Sequence, residues 1–213
     1  MPERVLFSEI EVMSRLHQLR LPKDILQDVL DAAAGERANV NSSDPCGTAG
    51  LEMRRWTTRF LRTDQRVREL GWKVCRHRQI EGIRNDELKM KVAFMNTDKR
   101  TGMPQKSPAS VSERGTIAEL LINQNKSAGQ TEMFDLPPLD PLQKYDFWYL
   151  CAFVNENQFA AELSRPIEIT KGLVTDYSER IIIWQPGDKE GLVRPEPVAE
   201  DFAEIALPEL KRK

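Results

Sequence analysis

Apolar residues recur at helical spacing through the first third of the chain and alternate with polar ones through much of the rest. The chain therefore reads as helices followed by sheet. Ile10, Met13, Leu16 and Leu19 follow Ser8 and Glu11, a capping-box pair, and define a first helix. Pro22 opens a second, carrying Ile25, Leu26, Val29, Leu30 and Ala33 and expected to stop near Gly35. These form a helical hairpin assigned to residues 1–40. The stretch from Asn39 to Gly50, rich in Asn, Ser, Pro and Gly, is a linker. Leu51 to Leu70 is then a third helix, with Met53, Trp56, Phe60, Val67 and Leu70 largely on one side.

Beyond Gly71 the period changes. Trp72 to Gln79 and Glu87 to Asn96 read as strands, joined by a turn at EGIRND; in the second, Leu88, Met90, Val92 and Phe94 alternate with Lys89, Lys91, Ala93 and Met95. Thr97 to Gly115 has no periodic face, and a loop of that length is usually functional or disordered. Thr116 and Glu119 cap a short helix through Ile117, Leu120 and Leu121, and a Pro-rich link from Asp135 to Pro141 follows. Phe147–Val154, Phe159–Ile169 and Arg180–Trp184 then make an antiparallel meander. The expected fold class is α+β: N-terminal helices followed by an antiparallel sheet of about five strands with one helix inserted. The α+β core is assigned to residues 51–186 and an acidic, Pro-containing tail to 187–213.

Composition narrows the class. With 40% hydrophobic and 30% charged residues the chain is neither disordered nor membranous. MPERVLFSEI lacks the apolar core of a signal peptide, so the expected location is cytoplasmic, with no membrane partner. Cys46, Cys75 and Cys151 are scattered, which suits a reducing compartment. The chain has two histidines, His17 and His77, so neither metal nor cofactor is expected. A chelator should leave the melting curve in place; a large fall of Tm in EDTA would expose a structural metal.

Charge supplies the sharpest signal. The net charge is −2, yet Met53 to Arg84 holds ten Lys or Arg against three acids, a local +7 that leaves −9 elsewhere. Within it Arg55, Arg59, Arg62 and Arg66 step by four, three and four. On an ideal helix they share a sector of roughly 60° and span about 16 Å. Lys73, Arg76 and Arg78 follow in the next strand, and Lys99, Arg100, Lys106 and Arg114 lie in or beside the long loop. Such a stripe can neutralise two or three backbone phosphates, and no base-reading motif accompanies it. The expected partner is nucleic acid, another polyanion or an acidic protein; the oligomeric state is left open. The competing reading folds acids over the stripe, Glu52 onto Arg55, Glu69 onto Arg66 and the tail over the rest.

Nucleotide-cradling and common hydrolase signatures are absent: there is no GxxxxGK[ST], GxGxxG, GxSxG or HExxH. The enzymatic alternative is a metal-dependent nuclease of restriction-endonuclease-like type. Glu87 and Lys89, with Lys91, share one face of an expected strand at the ExK spacing, where Glu holds a divalent ion and Lys serves the attacking water. A second carboxylate would have to come from a residue such as Glu81, Asp146 or Glu162. A protein-interaction or inhibitor module is the third reading.

The segments GTAGLEMRRWTTRFLR, MNTDKRTG, AAELSRPI and YSERIIIW resemble those of a group of bacterial reading frames with no activity attached, over most of residues 45–184. The resemblance implies a bacterial or mobile-element source and a small accessory protein. It supplies no catalytic residues.

Overall fold

Burial of both sheet faces organises the chain. The computed structural model describes residues 3–40, 43–44, 48–77, 80–127 and 145–189. In order these form β1 (Arg4–Leu6), α1 (Glu9–Gln18), α2 (Lys23–Ala38), α3 (Thr48–Thr63), α4 (Gln65–Glu69), β2 (Trp72–His77), β3 (Ile80–Asn85) and β4 (Met90–Asn96), then α5 (Thr116–Ser127), β5 (Asp146–Val154), β6 (Phe159–Thr170) and β7 (Leu173–Trp184). The fold is α+β. Its strands make one mixed sheet of seven, in the order β1-β7-β6-β5-β4-β3-β2.

The pleat sends alternate side chains to opposite faces, and each face has its own cover. Val92, Phe94, Trp148, Leu150, Leu163, Ile181 and Ile183 join Leu16, Leu26, Leu30, Met53 and Leu61 of α1–α3 in one buried cluster. The helical hairpin thus shares its core with the sheet. On the other face Ala93, Met95, Phe147, Tyr149 and Cys151 meet Leu121 and Ile122 of α5. Asn125 fastens that helix: its Nδ2 donates to the carbonyls of Phe147 (2.7 Å) and Pro166 (2.8 Å), while its Oδ1 accepts from the Phe147 N–H at 2.9 Å.

The expected antiparallel meander is present as β5-β6-β7, but the sheet is not five-stranded and antiparallel. The chain crosses from β4 through α5 to β5 and pairs them in parallel, Met90 opposite Asp146 and Asn96 opposite Ala152. A crossover containing a helix permits this where a tight turn would not. At the other end β1, three residues long, lies parallel to β7. The segment EGIRND, expected to turn, is strand for most of its length: Gly82, Ile83 and Arg84 pair with Ala93, Val92 and Lys91. Gly82 sits there because β4 passes too close for a side chain, a Cβ at that position running into the Val92 carbonyl oxygen.

Three further expectations change. Helix α2 runs through Gly35 to Ala38; a glycine with open space around it costs an exposed helix about 1 kcal/mol without ending it. The helix expected from Leu51 to Leu70 breaks at Asp64, whose carboxylate caps α4 by accepting from the Arg66 N–H. The Ser8 hydroxyl of the expected capping box bonds Glu11 and no backbone amide. The long loop from Thr97 to Gly115 is ordered, with Thr101 and Gly102 buried against the second sheet face.

A buried ion pair anchors that loop. Arg180 of β7 and Glu162 of β6 are both fully buried, with Arg180 Nε donating to Oε1 at 2.9 Å and Nη2 to Oε2 at 2.6 Å. Glu162 also accepts from the Gly102 N–H at 2.9 Å and the Ser164 hydroxyl at 2.7 Å, while Arg180 Nη2 reaches the Met103 carbonyl at 3.1 Å. Burial penalises the Arg180 charge, but its bonds to Glu162 hold its pKa above the ordinary value.

The Pro-rich link at Asp135–Pro141, Cys46, Arg78 and the tail beyond residue 189 lie outside the described residues. No helix among the described residues is long and apolar enough to cross a membrane.

Candidate nucleic-acid interface

Strand β2 is one edge of the sheet, and α3 packs over its neighbours β3 and β4 on the helical face. Met53, Thr57 and Leu61 recur every four residues on α3 and are buried, which turns the opposite flank outward. Between that flank and β2 lies a groove of about 670 Å³ lined by Arg54, Arg55, Arg59, Arg62 and Arg68, with Glu52 and Glu81 as its acids. Leu51 (66% exposed) and Val74 (47% exposed) give it an apolar border.

Two of these arginines are set by an aromatic ring. Arg55 Cζ lies 5.5 Å and Arg59 Cζ 4.9 Å from the Trp56 ring centroid, and Trp56 stacks on Phe60 with ring centroids 5.6 Å apart. Trp56 and Phe60 are half-buried, at the rim of the core. Such contacts orient the guanidinium planes without neutralising them.

The partners sort the arginines into two groups. Arg62 meets Glu81 at 3.4 Å, and Arg76 meets the same carboxylate at 3.3 Å; Arg55 approaches Glu52 at 3.5 Å. Arg54, Arg59 and Arg68 have no carboxylate partner among the described residues, and Arg68 donates instead to the Arg62 carbonyl at 3.1 Å. Arg66 departs from the expected stripe. The break at Asp64 puts it on α4, where it bonds Asp64 at 2.8 Å and Asp28 of α2 at 2.7 Å, rather than the expected Glu69. Those bonds raise its pKa, Asp64 contributing most.

The remaining basic positions lie apart from the groove. Lys73 bonds Asp86 at 2.8 Å, and that bond, with a second from the Tyr145 hydroxyl, holds the Asp86 carboxyl down at about 2. Arg100 is paired with Asp98 at 2.6 Å, and Lys99 is exposed on the same loop.

The nuclease geometry is not assembled by the strands. Glu87 and Lys89 fall in the turn before β4, with Lys89 at φ +50°, so they share no strand face. Glu87 pairs with Arg20 at 2.6 Å. Lys91 is on the strand but buried, its ammonium 5.9 Å from the Phe147 ring centroid. Asp146 is bonded by Arg165 at 2.9 Å, and Glu162 is the buried partner of Arg180. Among the described residues no group of three or more His, Cys, Asp or Glu side chains is placed to hold a metal ion.

Arg54 and Arg68 join the groove although both fall outside the four-three-four pattern of the stripe. Arg68 reaches it only because the chain bends at Asp64, and the run Thr63-Asp64-Gln65, an N-cap signature, was the available signal.

No family model matches the chain, and comparison with curated proteins and with solved structures finds no match.

Proposed function

We propose that the protein binds nucleic acid, without catalysis, along the groove between α3 and the edge strand β2. What carries the reading is a set of three arginines, Arg54, Arg59 and Arg68, that line the groove and have no carboxylate partner among the described residues. Five arginines against two glutamates leave the groove at +3. Unpaired guanidiniums are costly to hold together, and a polyanion relieves their repulsion while releasing its own counterions. The apolar border of Leu51 and Val74 suits the exposed bases of a single strand better than the outside of a duplex.

The test is a salt titration of fluorescence anisotropy with a labelled single-stranded oligonucleotide. Changing Arg54, Arg59 and Arg68 together to Ala should weaken binding about 10- to 100-fold and flatten the log–log salt slope by about 2. Their lack of ion pairs means the melting temperature should barely move. Arg66→Ala, whose charge is already matched by Asp28 and Asp64, should lower affinity less than twofold, a small effect expected of a screened surface charge. An unchanged affinity and slope in the triple variant would remove the nucleic-acid reading. Equal capture of polyglutamate would redirect it to an acidic protein.

A further inference from the structure

A second cleft, of about 380 Å³, opens where β3 parts from β4. The two strands pair from Asn85–Met90 to Gly82–Ala93 and no further, so Ile80 and Glu81 leave β4. The floor of this cleft is sheet, Ala93, Phe94 and Tyr149, and one wall is the first turn of α5. Arg54 of α3 and Glu81 line both this cleft and the arginine groove, so the two are neighbours across shared side chains.

Several donors converge there without acceptors. Gly115, which precedes α5, has no side chain to cap the helix; its carbonyl accepts from Ala118 and Glu119. The leading amides of a helix have no intrahelical partner, and here they border the cleft at Thr116 and Ile117. Tyr149 is 3% exposed and lines the cleft, yet its hydroxyl makes no hydrogen bond among the described residues. Burial pushes that phenol up to about 12, and the nearby charges of Arg114 and Arg54 oppose the shift. Arg114 sits over the same ring, its Cζ 5.6 Å from the centroid, and its Nε is buried with no acceptor among the described residues.

The acids of the cleft do not supply that acceptor. Glu81 is engaged by Arg62 and Arg76, and Glu113 is an exposed side chain at the edge beside Gly172. Two arginines, a helix N-terminus and a phenol hydroxyl match a doubly charged, oxygen-rich group. A phosphate monoester carries close to two charges near neutral pH, whereas an internal phosphodiester carries one.

We infer that this cleft seats the terminal phosphate of a nucleic-acid strand whose backbone follows the arginine groove. The inference rests on the nucleic-acid reading above and extends it to a chain end. Arg54 is the link, with one side chain bordering both the terminal group and the first internal phosphates. Thr116 and Ile117 donate through the backbone, and Arg114 and Tyr149 donate through their side chains.

The experiment compares three oligonucleotides of one sequence, carrying a 5′-phosphate, a 3′-phosphate or no terminal phosphate, with inorganic phosphate as competitor. The full-length protein should bind one of the phosphorylated strands about tenfold more tightly than the unphosphorylated strand, the effect of one or two charge-assisted hydrogen bonds. In Arg114→Gln and in Tyr149→Phe that preference should collapse toward unity while affinity for the unphosphorylated strand stays within twofold. Inorganic phosphate should reduce the preference in the wild type. Tyr149→Phe removes one oxygen from a buried ring, so a melting curve confirms that the variant is folded. Equal wild-type affinity for all three strands would overturn the inference and leave the groove reading intact. A preference that persists in both variants would also overturn it. Failure to bind any strand would overturn the groove reading and this one together.

Discussion

Replacing Glu162 by Gln should lower stability by about 3 to 5 kcal/mol, the range for breaking a buried pair by removing one partner. In a chain of 213 residues this is a fall in Tm of roughly 10 °C. The substitution keeps the shape of the side chain and leaves the Arg180 guanidinium, in a site with no exposure, with the Glu3 carboxylate 3.8 Å away as its remaining acid among the described residues. Gln retains one acceptor, so the Gly102 N–H or the Ser164 hydroxyl can be satisfied, but not both along with two guanidinium bonds. The loss should be greatest in the Thr97–Gly115 loop, visible as faster amide exchange there than in β5. Changing Arg180 to Met in the same molecule should restore part of the loss, because the buried charge that has lost its close partner is then gone. A Glu162→Gln variant within 1 kcal/mol of wild type by chemical denaturation would show that the pair is solvated.

Gly82→Ala is expected to cost about 3 kcal/mol, at the upper end for overpacking a tight interior. The new methyl would meet backbone, the Val92 carbonyl oxygen and the Ala93 Cα, rather than a side chain able to turn aside. Strand β3 must retreat, and β2 goes with it through the ladder from Trp72–Asn85 to His77–Ile80. Amide exchange should therefore accelerate across β2 and β3 together while β5, β6 and β7 keep their protection. Because that hairpin forms one side of both the groove and the cleft, oligonucleotide affinity should fall even though no contacting charge has changed. A Gly82→Ala variant with wild-type stability would mean that β3 and β4 lie further apart than described.

Parts of this architecture were legible from residues alone because the period of burial is strong where a strand is long. FWYLCAFV and RIIIW announce β5 and the end of β7, and the Ser8 and Pro22 regions mark the starts of α1 and α2. Strand β3 was hidden because its glycine, placed for close strand approach, carries the same one-letter signal as a turn. Strand β1 is too short for any periodicity and exists only by pairing with a partner far along the chain. The parallel β4–β5 neighbours could not be inferred, since strand order is a tertiary fact. The arginine stripe was visible as spacing, but its membership depended on Asp64, which moves Arg66 onto acids and brings Arg68 to the groove. The unpartnered donors at Tyr149 and Arg114 were beyond sequence reading, because a hydroxyl or guanidinium lacks an acceptor only once every neighbour is in place.

The pairing of β1 with β7, Arg4 opposite Glu179 and Leu6 opposite Ile181, sets a clock on biosynthesis. A ribosome delivers Arg4 well before Ile181, and its docking edge does not exist until residue 181 has left the exit tunnel. At roughly 5 to 20 residues per second the wait is on the order of ten seconds or more. During it α1 and α2 can form and pair locally, while the β7 side of the sheet has yet to be made. Closure then joins the ends of the described fold in one late, long-range step, the kind of contact that slows folding most.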